Sequence, residues 1–178
     1  MAPTYATSHG HDATRFFGPL VDLYECVYAE PPYEEGPDQV SRFRDGLPGE
    51  AVRPGFTLVT VTEGSSLVGA TYGWTMSAGN WWSRADAEPP ARIRAASKLA
   101  VMEWIVHPLR RGEGVGAELM RRLLTGRPER YATLASDSRS RAREIYARNG
   151  WRQVGTSVLP WGPPMDLLVL DLGLEPIR

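Results

Sequence analysis

The chain contains a single cysteine, Cys26, in 178 residues. No disulfide can form within it, so a reducing cytoplasm is the expected setting. Cys26 lies in "VDLYECVYAE" among apolar residues at helical spacing, where a small packed thiol is expected rather than a nucleophile. No apolar run approaches the ~20 residues that span a bilayer. The first fifteen residues, "MAPTYATSHGHDATR", lack the continuous apolar core of a signal peptide. Histidine is scarce: His9, His11 and His107 do not form a ligand pattern, and no metal is expected. Net charge is only −1, which argues against a nucleic-acid binder. Lysine occurs once, as Lys98, against nineteen arginines, a bias that reflects genomic base composition more than mechanism.

What is present fits one folded domain over 1–178, with a flexible N-terminus over 1–12. Hydrophobic residues make up 42% and charged residues 23%, the mix of a soluble globular protein. Charge is nevertheless uneven. Residues 22–50 hold eight acids against Arg42 and Arg44, and residues 110–152 hold eleven arginines against five acids. Either these are two solvated faces, or the C-terminal half holds an anion and the N-terminal half attracts a cation.

The periodicity predicts a helix from Pro19 through "PLVDLYECVYAE", stopped by Pro31 and Pro32, and a second from Pro37 to Arg44 with Gly46 at its end. Two strands follow, Phe56–Thr62 and Leu67–Met76, around a tight turn. Residues 77–97 read as a long loop with a short helix. "KLAVMEWIVH" is an apolar strand closed by Pro108, and Val115, Leu119 and Leu123 make the stripe of the next helix. "YATLAS" is a strand, 139–148 a helix, and "WRQVGTSVL" and "DLLVLDL" are the last strands. The order implies an α/β layer with a mixed sheet.

Between strand and helix stands "RRGEGVG", Arg110–Gly116. A Walker A loop requires Gly-Lys-Ser/Thr, but Gly116 is followed by Ala117-Glu118. The dinucleotide fingerprint requires Gly-x-Gly-x-x-Gly after a first strand, and the spacing here is Gly112-x-Gly114-x-Gly116 well past mid-chain. What remains is a helix N-terminus whose free N–H groups and dipole favour a phosphate, approached across glycines and flanked by Arg110 and Arg111. The glycines are equally compatible with a mere tight turn.

"VHPLRRGEGVGAELM" resembles the acetyl-coenzyme A loop of the general N-acetyltransferase (GNAT) superfamily, Arg/Gln-x-x-Gly-x-Gly/Ala, through Arg111, Gly114 and Gly116. "AREIYARNGWRQVGT" is similar to the family's second signature through Tyr146, Gly150 and Trp151. The resemblance covers roughly residues 15–172. It implies a mixed, mostly antiparallel sheet flanked by helices and splayed at its central strands, with acetyl-CoA as acyl donor and direct transfer to an amine. By position, Trp104, Ile105 and Val106 would contact pantetheine, and Arg110, Arg111, Gly112, Glu113, Gly114, Val115 and Gly116 the diphosphate. Tyr146 matches the usual proton donor to the thiolate, against the alternative of simple packing. Glu103, the only acid on the central strand, is either the base, directly or through water, or a structural acid paired to an arginine. Arg139 stands where many members have a pantetheine-binding asparagine. Either the helix begins differently here or Arg139 reaches a cofactor phosphate, with Ser138 or Ser140 taking over the lost hydrogen bond.

Aromatics cluster in segments expected around the acceptor. Tyr28, Glu30, Tyr33, Trp74, Trp81 and Trp82 are therefore the expected acceptor-binding residues, for a small primary amine with an apolar or aromatic body. No nucleic-acid or membrane partner is expected, and homodimers are frequent in the resembled family. The competing readings are a protein or peptide N-acetyltransferase, an acyl-CoA-binding sensor with degraded catalysis, and a nucleotide-dependent enzyme.

Overall fold

The computed structural model describes residues 2–158 and 162–173. Its elements are β1 (Thr4–His9), a 3-10 turn (Gly10–Phe16), α1 (Phe17–Tyr28), α2 (Pro37–Ala51), β2 (Thr57–Glu63), β3 (Ser66–Met76) and α3 (Ala91–Ala95). After these come β4 (Lys98–Val106), a 3-10 turn (Pro108–Arg110), α4 (Val115–Leu124), β5 (Tyr131–Asp137), α5 (Arg141–Arg148), β6 (Arg152–Ser157) and β7 (Met165–Asp171). The strands form one sheet in the order β1-β2-β3-β4-β5-β7-β6. Leu159, the last residue expected in the β6 segment, lies outside the described residues. Among the described residues no helix is long and apolar enough to cross a membrane. Nor do they contain a group of three or more side chains able to hold a metal ion.

The chain divides into two compact units, Met1–Trp74 with Met102–Thr125, and Thr75–Val101 with Gly126–Arg178. In the first, β1, β2 and β3 are antiparallel neighbours. Residues Thr4–His9, expected to be flexible, instead pair with Thr62–Thr57 of β2, because β2 otherwise has an unpaired edge. Every residue of β2 from Thr57 to Val61 is buried, which requires cover on both faces. One face meets the apolar sides of α1 and α2, where Leu20, Leu23, Tyr24, Val40 and Leu47 join Phe56, Leu58, Ala70, Tyr72 and Ile105. α2 runs past its expected stop at Gly46, because Leu47 and Ala51 are buried and the packing outweighs the cost of Gly46 and Pro48. Cys26, expected to be packed, is exposed; it follows Glu25 on the outward side of α1, while Tyr24 and Val27 face in.

In the second unit β5 and β7 pair antiparallel, as do β7 and β6, with a register shift between Gln153 and Gly155. The start of β4 runs parallel to β5 through Lys98↔Tyr131, Leu99↔Ala132 and Ala100↔Thr133. The sole lysine, Lys98, is fully buried. Its ammonium donates to the carbonyls of Ile93, Arg94 and Ala96 at 3.1, 3.3 and 2.6 Å, closing the C-terminal end of α3, whose last carbonyls have no partner within the helix.

Gly116 shows how tightly α4 is set in the first unit. A Cβ there would stand 2.9 Å from Trp104 Cζ2, and the Trp104 indole N–H donates to Gly116 O at 2.8 Å. Gly116→Ala is expected to destabilise the protein by about 1–3 kcal/mol through overpacking. In a Trp104→Phe background, which lacks the clashing ring, the same change should cost distinctly less. Urea unfolding of the four proteins of this cycle measures the coupling; equal cost in both backgrounds would count against it.

Candidate functional site

In the first unit, β4 leads into the glycine loop. Gly112 and Gly114 have φ of 81° each, a conformation that glycine adopts freely. An added Cβ at either would meet nothing within 4 Å, so the loop leaves open space over its backbone. Gly114 is the N-cap of α4 and supplies no side-chain cap, which leaves the first N–H groups of the helix available to an anion. Gly116 differs: its missing side chain makes room for Trp104. Val115 is buried beneath the loop. Arg110 is held by Glu63 and, at 3.3 Å, by Glu113. Arg111 is paired to Glu30 at 2.7 Å and donates from Nε to Val106 O at 3.2 Å. Loop and α1–α2 segment are thus joined by an ion pair that spans 81 positions of sequence.

β4 alternates as a strand should. Trp104 reaches α4, whereas Glu103 reaches α1 and accepts a 2.7 Å hydrogen bond from the Tyr28 hydroxyl. The Glu103 carbonyl accepts from the Thr71 hydroxyl at 2.7 Å. Burial pushes the Glu103 carboxyl up to about 8; the Tyr28 hydrogen bond opposes this, and the charges of Glu35 and Glu50 add to it. The residue still keeps part of its surface accessible. No arginine is bonded to it among the described contacts, which removes the expectation of a structural acid paired to an arginine.

Around Glu103 stands a set of acid–aromatic pairs. Tyr24 donates to Glu35, and the Trp74 indole donates to Glu50. Tyr24 and Tyr28 have ring centroids 4.3 Å apart, and Tyr33 meets Tyr28 edge-on at 4.7 Å. Burial, and then the charge of Glu103, raise both Tyr28 and Tyr72 well above the ordinary phenol range. Burial likewise raises Glu35, against the Tyr24 hydrogen bond. Arg53 lies over the Trp74 ring at 4.3 Å and 3.5 Å from Glu50. The sequence points to Tyr28, Tyr33, Trp74 and Glu103, but not to Tyr24 and Glu50 as their partners. The spacing of Tyr24 and Tyr28, four apart on the inward stripe of α1, was the available signal; nothing local marks Glu50.

The remaining sites fall in the second unit. Tyr146 is buried, with its ring edge-on to Trp151 at 5.5 Å. Arg139 forks onto buried Asp137, with contacts at 2.7 and 3.0 Å. Ser140 caps α5, accepting from Arg143 N at 3.2 Å and donating to Asp137 O at 2.8 Å. The hydroxyl expected to replace the missing asparagine is therefore occupied at Ser140, while Ser138 is exposed. Trp81 packs on Ile93, Tyr131 and Val169, and the Trp82 indole donates to the Thr133 hydroxyl at 3.0 Å. The two tryptophans of the loop thus have partners in the second unit's own core.

No protein-family model and no curated protein matches the sequence. Solved structures do match. An acetyltransferase of the GNAT family from Bacillus cereus has a TM-score of 0.60 at 16% identity, over 96% of this chain and 98% of that one. The PaiA N-acetyltransferase from Thermoplasma acidophilum, solved in complex with coenzyme A, gives 0.63 at 11%, over 96% and 99%. The ribosomal-protein-S18-alanine N-acetyltransferase from Escherichia coli gives 0.64 at 11%, over 98% and 97%. The fold is the GNAT fold.

Within that fold Glu103 has a measurable cost. Its folded pKa lies above the unfolded carboxyl value of 4.5. The folded state therefore binds the proton more tightly, and stability falls as pH rises from about 4.5 to about 8. Glu103→Gln removes the titration. Its stability relative to the parent protein is expected to improve with pH across that window, by a few kcal/mol in all. Unfolding at pH values across the window tests this; a difference that does not change with pH would contradict it.

Proposed function

We propose that the protein is a GNAT acetyltransferase that moves an acetyl group from acetyl-CoA directly to the primary amine of a small molecule. Glu103, directly or through water, is the base, and Tyr146 donates the proton to the departing thiolate. The observation that carries this reading is Glu103: a carboxylate enclosed by protein, still accessible, on the strand that leads into an open anion-binding loop. A carboxyl near 8 is basic enough to take a proton from an ammonium group at neutral to mildly alkaline pH.

The loop fits a diphosphate because Gly112 and Gly114 leave its backbone open and the start of α4 is uncapped. Acetyl-CoA, when bound there, supplies an acyl group activated as a thioester. Arg111 would turn from Glu30 to the diphosphate. The enclosing carboxylates Glu35 and Glu50 favour an acceptor that arrives as a cation, and Tyr33 and Trp74 offer apolar surface for its body. In the second unit Tyr146 carries the donor hydroxyl by its place in the signature.

A protein N-terminus is the second acceptor class, favoured by the substrate printed in the name of the Escherichia coli neighbour. Thiol release over amines, amino acids, aminoglycosides and peptides distinguishes the two, and inactivity with every acceptor would support a coenzyme A sensor instead. With the acceptor found, kcat/KM is expected to rise with pH to a plateau above about 8, since protonated Glu103 accepts no proton. Glu103→Gln should lose that rise and about 10²–10⁴-fold in rate. Tyr146→Phe should lower kcat far more than it weakens coenzyme A binding; unchanged kcat would remove Tyr146 from the mechanism. Glu30→Gln, by freeing Arg111 from an exposed ion pair, should tighten coenzyme A binding by at most about fivefold, and calorimetry that finds weaker binding would contradict the competition.

A further inference from the structure

We infer that Tyr28 is the positioning residue for Glu103: its hydroxyl holds Oε2 and leaves Oε1 as the atom that takes the acceptor's proton. The kinetic part of this inference rests on the acetyltransferase reading above; the geometric part does not. Tyr28 Oη lies 2.7 Å from Glu103 Oε2. Among the described residues Oε1 accepts no hydrogen bond, and it is not one of their sealed, unpartnered polar atoms. One oxygen is therefore tied down, and the other, among the described residues, is neither bonded nor sealed.

The phenol is itself fixed. It ends the last turn of α1, with the Tyr24 ring at 4.3 Å on one side and the Tyr33 ring edge-on at 4.7 Å. Thr71 secures the other end of Glu103 through its carbonyl. Rotation of the carboxylate is thereby limited at backbone and side chain alike, and a base so held needs no reorientation when the acceptor arrives.

The charged and titratable groups that face Glu103 come from every element packed around it. They are Tyr24 and Tyr28 of α1, Glu35 of the following segment, Glu50 of α2 and Tyr72 of β3. Tyr28 is the one bonded to the carboxylate. Glu35 and Glu50 disfavour its ionised form, so the Tyr28 hydroxyl is the specific group that offsets them. Because the phenol is pushed above its ordinary range, it remains the donor wherever Glu103 is charged.

The test reads Glu103 directly, by carboxyl-carbon NMR with labelled glutamate, its resonance assigned by its absence in Glu103→Gln. Tyr28→Phe keeps the ring and removes the hydroxyl. The midpoint of Glu103 is expected to move up by about one unit, the size of one hydrogen bond to a charged group. Tyr24→Phe, which removes the hydroxyl bonded to Glu35, should leave that midpoint nearly in place. 3-Fluorotyrosine at position 28 alone is a stronger donor of nearly the same shape, and should move the midpoint down even if Tyr28→Phe folds poorly. The rising limb of kcat/KM should follow each shift in direction and extent, with kcat on the plateau lowered in Tyr28→Phe. An unmoved midpoint in folded Tyr28→Phe, or an equal shift in Tyr24→Phe, overturns the inference. Absence of any acetyl transfer by the parent protein would overturn the enzymatic reading while the NMR titration still decides the role of Tyr28.

Discussion

A carboxylate enclosed by protein is expensive, and the first unit is arranged around one. Removing Glu103 from water disfavours its charge, and two further carboxylates, Glu35 and Glu50, increase the cost. A purely structural position would be served better by an apolar side chain. What the chain has instead is a set of aromatic donors, each directed at one acid: Tyr28 at Glu103, Tyr24 at Glu35 and Trp74 at Glu50. Such pairing offsets part of that cost and leaves the Glu103 carboxyl titrating near about 8, where it can exchange a proton near neutral pH. The raised pKa, the expected pH dependence of stability and the proposed role as base all trace to that one desolvation.

β4 serves both faces of this unit at once. Alternation sends Glu103 toward α1 and Trp104 toward α4, so one dipeptide positions the candidate base and seats the helix whose N-terminus ends the glycine loop. The loop glycines divide the labour. Gly112 and Gly114 supply positive φ and an open backbone, while Gly116 admits the indole of Trp104. Arg111, paired to Glu30, ties the glycine loop to the segment before α2.

Elements with strong periodicity were legible in the sequence. The hairpin β2–β3, strand β4 and helix α4 stand where alternation and the Val115, Leu119, Leu123 stripe put them, because local pattern and tertiary packing agree there. β1 was not legible: "TYATSH" is mostly polar and becomes a strand only because β2 offers an edge. The overrun of α2 past Gly46 likewise depends on burial of Leu47 and Ala51, which no local rule contains. At the site, Glu103 stood out as the one acid in an apolar strand. Tyr28 stood out too, as an acceptor-site aromatic, but its pairing with Glu103 did not: the two are 75 positions apart and the bond exists only after α1 docks. Trp81 and Trp82 are expected from the sequence at the acceptor, yet the fold packs Trp81 on Tyr131 and bonds the Trp82 indole to Thr133, contacts that no local pattern contains.

Protein, rather than water, surrounds Glu103, and this holds its carboxyl protonated well above the ordinary carboxyl range. Infrared spectroscopy of the protein alone tests this most directly, through the carbonyl stretch of a protonated carboxyl followed from mildly acidic to alkaline pH. The expected band disappears with a midpoint near about 8 and is missing in Glu103→Gln. A Glu103 band already lost below about pH 5, with the exposed carboxylates, would contradict it.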